Sequence, residues 1–240
     1  HYATWPLRDF RPLRDHDLAP FFFDWLAHDS LDAYWRSVAL WPHYDRIRVP
    51  GLHIGGWYDI FLAGTLRNYA GLQERGGAGA RGRQRLLIGP WVHYPWSPRT
   101  GDADFGPTAV ADVVDGLQLR FYGLHLRGLD DGLGSEPPVR IFVMGENRWR
   151  DESEWPLRRA VDTPWYLHSG GRAASLDGDG FLSEVAPADE PVDLFVHDPR
   201  GPSVSAGAHS CCWEAYTPMG PFDQRQVDRW MNILCYTSAP

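Results

Sequence analysis

Lysine is absent: all 23 basic residues among the 240 of this chain are arginine. That absence excludes a Walker-type phosphate loop, a Schiff-base lysine and a kinase-type phosphate lysine, because each needs the missing amine. Cysteine is scarce, confined to Cys211, Cys212 and Cys235, which is too few for a disulfide framework. A reducing, cytoplasmic interior is therefore the expected compartment. No apolar run approaches the roughly 18 residues that a membrane span requires, so no membrane partner is expected. Positive charge is in deficit as well: the net charge of −8 argues against a nucleic-acid partner, since phosphate binding wants a basic face. The chain starts at His1, with neither a methionine nor a signal-peptide pattern, and is expected to be a processed product or a piece of something longer.

What is present is globular in composition, 43% hydrophobic against 22% charged, and enough for one large domain or two ordinary ones. Residues 1–27 carry aromatics, arginine and proline without a clean period. The stretch HDSLDAYWRSVAL reads as a helix capped by Asp29 or Ser30, with Leu31, Tyr34, Trp35 and Val38 on one face. IRVPGLHIGG reads as a buried strand. IFLAGTLRNYAGLQERGG reads as a helix with Leu62, Leu66, Tyr69 and Leu72 on one side, stopped by Gly76 and Gly77. QRLLIGP is the next strand, and GPTAVADVVDGLQLRFYGLHLRGL the longest helix, with Pro107 near its start. After the polar segment LDDGLGSEPP (129–138) the pattern changes to short strands: VRIFVMG, TPWYLHS, GFLSEV, VDLFVHD and NILCYTS. Separated by turn clusters, they predict an antiparallel sandwich or jelly roll.

Strand, helix, strand over residues 47–89 is a βαβ unit, whose two strands run parallel and side by side. Just past the ends of those strands stand Asp59, in GGWYDIF, and His93, in IGPWVHYPW. Both therefore fall on the rim where open α/β sheets bind ligands. A carboxylate beside an imidazole fixes the histidine tautomer and stabilises the imidazolium, as activation of a nucleophile requires. Asp59 can equally be the N-cap of the helix behind it, and His93 a hydrogen-bonded structural histidine.

HIGGWYDIF, LIGPWVH and VRIFVMGENRWRDESEWPL together resemble the CocE/NonD hydrolases, the family of cocaine esterase, α-amino-acid ester hydrolases, glutaryl-cephalosporin acylases and X-prolyl dipeptidyl-peptidases. PWYLHSGGRAASL, VDLFVHDPRGPS and MGPFDQRQV fit the same pattern, so the resemblance runs from about Asp29 to the end. It implies that Asp59 is the triad acid, that His93 is the general base, and that the reaction is serine-dependent acyl hydrolysis of an ester, an amide or a short peptide without a cofactor. The expected architecture is α/β. Residues 1–45 would be the tail of a helical cap domain, 46–134 the second half of an α/β-hydrolase domain, and 135–240 the first part of a jelly-roll-like β-sandwich. The family's G-x-S-x-G nucleophile turn has no counterpart in these 240 residues; neither Ser30 nor Ser37 has flanking glycines. The chain is accordingly expected to be the middle-to-late section of a longer hydrolase and inactive alone. The remainder of that hydrolase, or a second subunit, should cover its open strand edges.

Trp57, Tyr58, Trp91, Tyr94 and Trp96 flank the two candidates and are expected to line an apolar substrate pocket. Asp102 and Asp104 read as a solvated turn close to His93. HSCC (209–212) invites a metal reading, but adjacent cysteines chelate one tetrahedral ion poorly, and a packed loop without metal is expected. GENRWRDESEWPL alternates arginine with acids and reads as a salt-bridged structural turn. The rival reading of the whole chain is a non-catalytic, aromatic-rich β-sandwich that binds carbohydrate or a partner protein.

Overall fold

The computed structural model describes all residues except 1–5, 111, 199, 213, 214, 216, 231 and 240. The chain divides into two units, residues 1–43 with 197–202, and residues 44–196 with 203–240. The smaller unit holds three short helices, α1 (Arg11–Arg14), α2 (Pro20–Ala27) and α3 (Ala33–Val38). The helix read from HDSLDAYWRSVAL thus begins later than expected. Its cap is Asp32, whose carboxylate accepts from the amides of Tyr34 and Trp35, so Leu31 lies outside the helix and stays exposed.

In the larger unit, β1 (Gly51–Gly56) leads through α4 (Leu62–Arg75) to β2 (Gln84–Gly89), and β1 and β2 pair in parallel, Gly51 opposite Gln84 and Gly56 opposite Gly89. The helix ends where the double glycine predicts, with Gly76 donating back to Leu72. Beyond β2 come a small hairpin, β3 (Arg99–Thr100) and β4 (Ala103–Asp104), and then α5 (Val113–Arg127). Pro107 opens a separate 3-10 turn, Pro107–Ala109. Asp112, in the left-handed region, breaks the expected long helix before α5 starts. Gly128 closes α5 at φ +67, a conformation that costs glycine nothing.

The next strand departs from expectation. β5 (Val139–Val143), read as the first strand of the sandwich, instead joins the main sheet: it pairs parallel to β2, Leu86 opposite Val139, and antiparallel to β6 (Arg148–Glu152). The sheet order is β1-β2-β5-β6. The reason lies in VRIFV itself. Val139, Ile141 and Phe142 are at most 4% exposed, so the strand is covered on both faces, as central parallel strands are. Tyr69 of α4 packs on Leu86, Ile88, Val139 and Ile141 on one face, while Leu87 packs on Val114 of α5 and Trp91 on the other. Each fully buried aliphatic side chain here stabilises by about 1.5–3 kcal/mol.

After β6 only β7 (Tyr166–His168) and β8 (Phe181–Ser183) form regular strands among the described residues, paired antiparallel as read from TPWYLHS and GFLSEV. VDLFVHD and NILCYTS do not become regular strands. Val192, Leu194, Phe195 and Val196 are exposed, and Thr237 makes one bridge to Phe181. Among the described residues no helix is long and apolar enough to cross a membrane.

Candidate active site

Both loops leave the carboxyl ends of neighbouring parallel strands and are stitched together by their backbones. The amide of Trp57 donates to Gly89 O (2.8 Å), and that of Tyr58 to Trp91 O (2.9 Å). At Gly56 the loops touch so closely that a Cβ would lie 2.0 Å from the Trp91 carbonyl oxygen. The turn that follows carries Asp59, 6% exposed. Its two carboxylate oxygens have different partners. Oδ1 accepts from the amide of Phe61 (2.8 Å), which fixes the turn into α4, and Oδ2 lies 3.2 Å from Nδ1 of His93. The helix itself starts after Phe61, which offers no side-chain cap, so Asp59 holds the turn with one oxygen and keeps the other for the imidazole.

The His93 side chain is 43% exposed, and the ring of Phe61 stands edge-on to it at 4.9 Å. With Nδ1 turned to the buried carboxylate, Nε2 is left without a hydrogen bond among the described residues. This is the tautomer arrangement in which a histidine accepts a proton on Nε2 while a carboxylate stabilises the resulting charge.

The five aromatics divide. Trp91 is fully buried and donates to Ala109 O, so it braces the sheet rather than facing a ligand; Trp57 is half-buried, donates to Phe142 O and packs beside Trp155. Tyr58 is half-buried, its hydroxyl pushed up in pKa by burial, while Trp96 and Tyr94 are exposed. Asp102 is more than a solvated turn: its carboxylate accepts from the amide of Asp223, and its own amide donates to Pro221 O. Asp104 pairs with Arg99 across the hairpin.

His209 was read only as part of HSCC. Its Nε2 donates to Trp57 O (2.8 Å), and its ring stands over Tyr58 at 6.3 Å. His209 therefore holds the Asp59 loop, while Pro221 and Asp223 hold the β3–β4 turn that follows the His93 loop. No local sequence signal announces a contact across 152 residues. Cys211 and Cys212 are joined as a disulfide, a pairing of neighbours that the cysteine count did not suggest, and Cys235 is free. Among the described residues no group of three His, Cys, Asp or Glu side chains is placed to hold a metal ion. GENRWRDESEWPL is salt-bridged as read, with Arg150 and Arg159 converging on the buried Glu152 and Arg140 on Asp151. It is not a turn, however: Arg148–Glu152 within it are β6 itself, at the edge of the main sheet.

A second Ser–His–acid array lies between β7 and β8 and has a different character. Ser183 Oγ is 3.1 Å from His168 Nε2, and His168 Nδ1 is 2.7 Å from Glu190. Nε2 also meets Val185 O at 2.8 Å, and a carbonyl only accepts, so both ring nitrogens must donate. His168 is held as an imidazolium by Glu190, its pKa raised, and has no lone pair for a serine proton. A raised pKa gives stability that is complete below the ordinary histidine value of about 6.5 and is lost as pH rises through the raised one. Wild type is therefore expected to lose more Tm than Glu190→Gln between pH 6 and pH 9. Parallel Tm–pH curves for the two proteins would refute the assignment.

Comparison with known proteins follows this geometry. Residues 7–95 match the family described as X-Pro dipeptidyl-peptidase (S15 family), and residues 131–240 match the X-Pro dipeptidyl-peptidase C-terminal non-catalytic domain. The chain is 34% identical over 224 residues to cocaine esterase of Rhodococcus sp. (strain MB1 Bresler), a match that covers 92% of this chain and 38% of that protein. Among solved structures, an aminopeptidase from the marine sediment archaeon Thaumarchaeota archaeon shares the fold, with a TM-score of 0.54 at 20% identity over 83% of this chain and 33% of that one. Both matched families are those of X-Pro dipeptidyl-peptidases, and the chain spans 38% of the length of the curated relative it matches. It belongs to the CocE/NonD family of hydrolases.

Proposed function

We propose that this chain supplies the acid–base half of a serine hydrolase that cleaves an ester, an amide or a short peptide through an acyl-enzyme. His93 is its general base and acid, and Asp59 is the carboxylate that orients it. The reading rests on one observation above all: the 3.2 Å contact between Asp59 Oδ2 and His93 Nδ1, made at the carboxyl rim of two parallel strands. In the reaction, Nε2 of His93 takes the proton of the nucleophilic serine hydroxyl as that oxygen bonds to the acyl carbon. The imidazolium, stabilised by Asp59, then gives the proton to the departing alcohol or amine. Water attacks the acyl-enzyme in the second half by the same exchange, releasing the acid and restoring the serine.

The serine and its oxyanion donors belong, on this reading, to a part of the enzyme outside these 240 residues; no serine hydroxyl bonds to His93 among the described residues. The part from 46 to the end of β6 is the rear of the catalytic sheet, residues 1–45 the tail of a helical cap, and the chain beyond β6 part of a jelly-roll-like sandwich. Trp57, Tyr58, Tyr94 and Trp96 are the aromatics with surface to offer a substrate.

Asp59→Asn tests the role directly, because an asparagine Oδ1 can still accept from Phe61 and keep the turn. In the enzyme containing this chain, kcat is expected to fall by about 10³–10⁴-fold with Tm nearly unchanged. A loss of Tm with kcat preserved would make Asp59 only a turn residue.

A further inference from the structure

At the opposite end of the sheet from His93, about 20 Å away along β2, lies a cavity of about 430 Å³. Arg83, which is exposed and enters no ion pair among the described residues, stands at its mouth together with Arg85, His125 of α5, Leu124, Gly134 and Glu136. The one carboxylate in the lining is already engaged: both oxygens of Glu136 accept from Arg120, which also pairs with Asp131. Arg85 is anchored on backbone carbonyls instead, those of Leu133, Glu136 and Pro137, so no carboxylate cancels its charge directly. Two guanidinium charges and an imidazole thus share a concavity whose only acid is occupied. The field registers on His125, whose pKa is lowered by burial and, after that, by the charges of Arg83 and Arg85. A pocket of this size accommodates a small molecule rather than a bare ion, and Leu124 gives it an apolar wall.

We propose that this cavity is a second binding site, separate from the Asp59–His93 pair, for a small phosphorylated organic molecule whose phosphate lies among Arg83, Arg85 and His125. A planar guanidinium meets a phosphate through two parallel N–H···O bonds, and a neutral imidazole can add one N–H donor beside them. Nothing in the proposed hydrolysis uses these groups.

The test titrates the enzyme that contains this chain with glycerol 3-phosphate and with inorganic phosphate, following the ring protons of His125 by NMR at constant ionic strength. Glycerol 3-phosphate is expected to shift the His125 signals saturably and to bind more tightly than inorganic phosphate. Arg83→Ala, which removes an exposed side chain and should leave Tm unchanged, is expected to weaken binding by about tenfold. Arg85 is left intact because it also ties down the loop before β5. The proposal is overturned if the shifts do not saturate, if sodium chloride reproduces them, or if Arg83→Ala binds as wild type does. Equal affinity for the two phosphates would overturn the claim that the cavity holds the organic part.

Discussion

Replacing His93 by alanine in the enzyme that contains this chain is expected to lower kcat by about 10⁴–10⁶-fold, with KM changed little. The size follows from the cooperative nature of a nucleophile–base pair. Without the imidazole the serine hydroxyl keeps its proton, and the carboxylate of Asp59 has nothing to orient, so loss of the base costs about as much as loss of the whole array. The fold has little stake in the ring. Its side chain is 43% exposed, and its contacts are the Asp59 carboxylate and the edge of Phe61, so Tm should hold. Steady-state kinetics on a p-nitrophenyl ester, with thermal unfolding of the same preparations, separates the two quantities. Activity within tenfold of wild type would remove His93 from the chemistry.

The second large effect is expected from a single methyl group. Gly56→Ala places a Cβ 2.0 Å from the carbonyl oxygen of Trp91 and 2.5 Å from its carbonyl carbon. Both are backbone atoms, so no rotamer relieves the clash and the two loops must part. A stability loss of about 3 kcal/mol is expected, at the upper end for an overpacked position. Because Tyr58 donates to that same carbonyl, the parting also carries Asp59 away from His93. A displacement near 1 Å costs on the order of 100-fold in rate, so activity should fall even where the protein remains folded. Gly64→Ala in α4 is the matched control. A Cβ there meets nothing within 4 Å, and alanine should stabilise the helix by about 0.5–1 kcal/mol. Urea unfolding midpoints read both changes. Equal midpoints for Gly56→Ala and wild type would mean that the loops are not in contact.

Much of this was legible in the chain because the signals are local. The 3.6-residue spacing of Leu62, Leu66, Tyr69 and Leu72 and the stop at Gly76 describe α4 without reference to anything else. The βαβ pattern around that helix then puts Asp59 and His93 on one rim, since parallel strands must share their carboxyl end. Where the reading failed, the deciding partner was distant. VRIFV is a short apolar run that suits a sandwich or a central parallel strand equally well; its neighbour Leu86, more than fifty residues earlier, decides. Trp91 looks like a pocket residue beside the candidates, yet its indole nitrogen reaches Ala109 O and the whole side chain is buried. His209 could not be placed at all, because its partner is the backbone oxygen of Trp57 rather than any side chain with a recognisable type.

The position of β5 bears on how the two family-matched stretches can be separated. The C-terminal match begins at residue 131, yet β5 lies between β2 and β6 in the same sheet. A protease nick or a gene fusion placed in the 129–138 segment would tear out an interior strand and strip the cover from Leu86 and Ile88. A break after Glu152 would leave the sheet β1-β2-β5-β6 whole, though it would still part Arg159 from Glu152, His209 from Trp57 and Asp223 from Asp102. A family boundary drawn by sequence similarity and the edge of the main sheet are, in this chain, two different places.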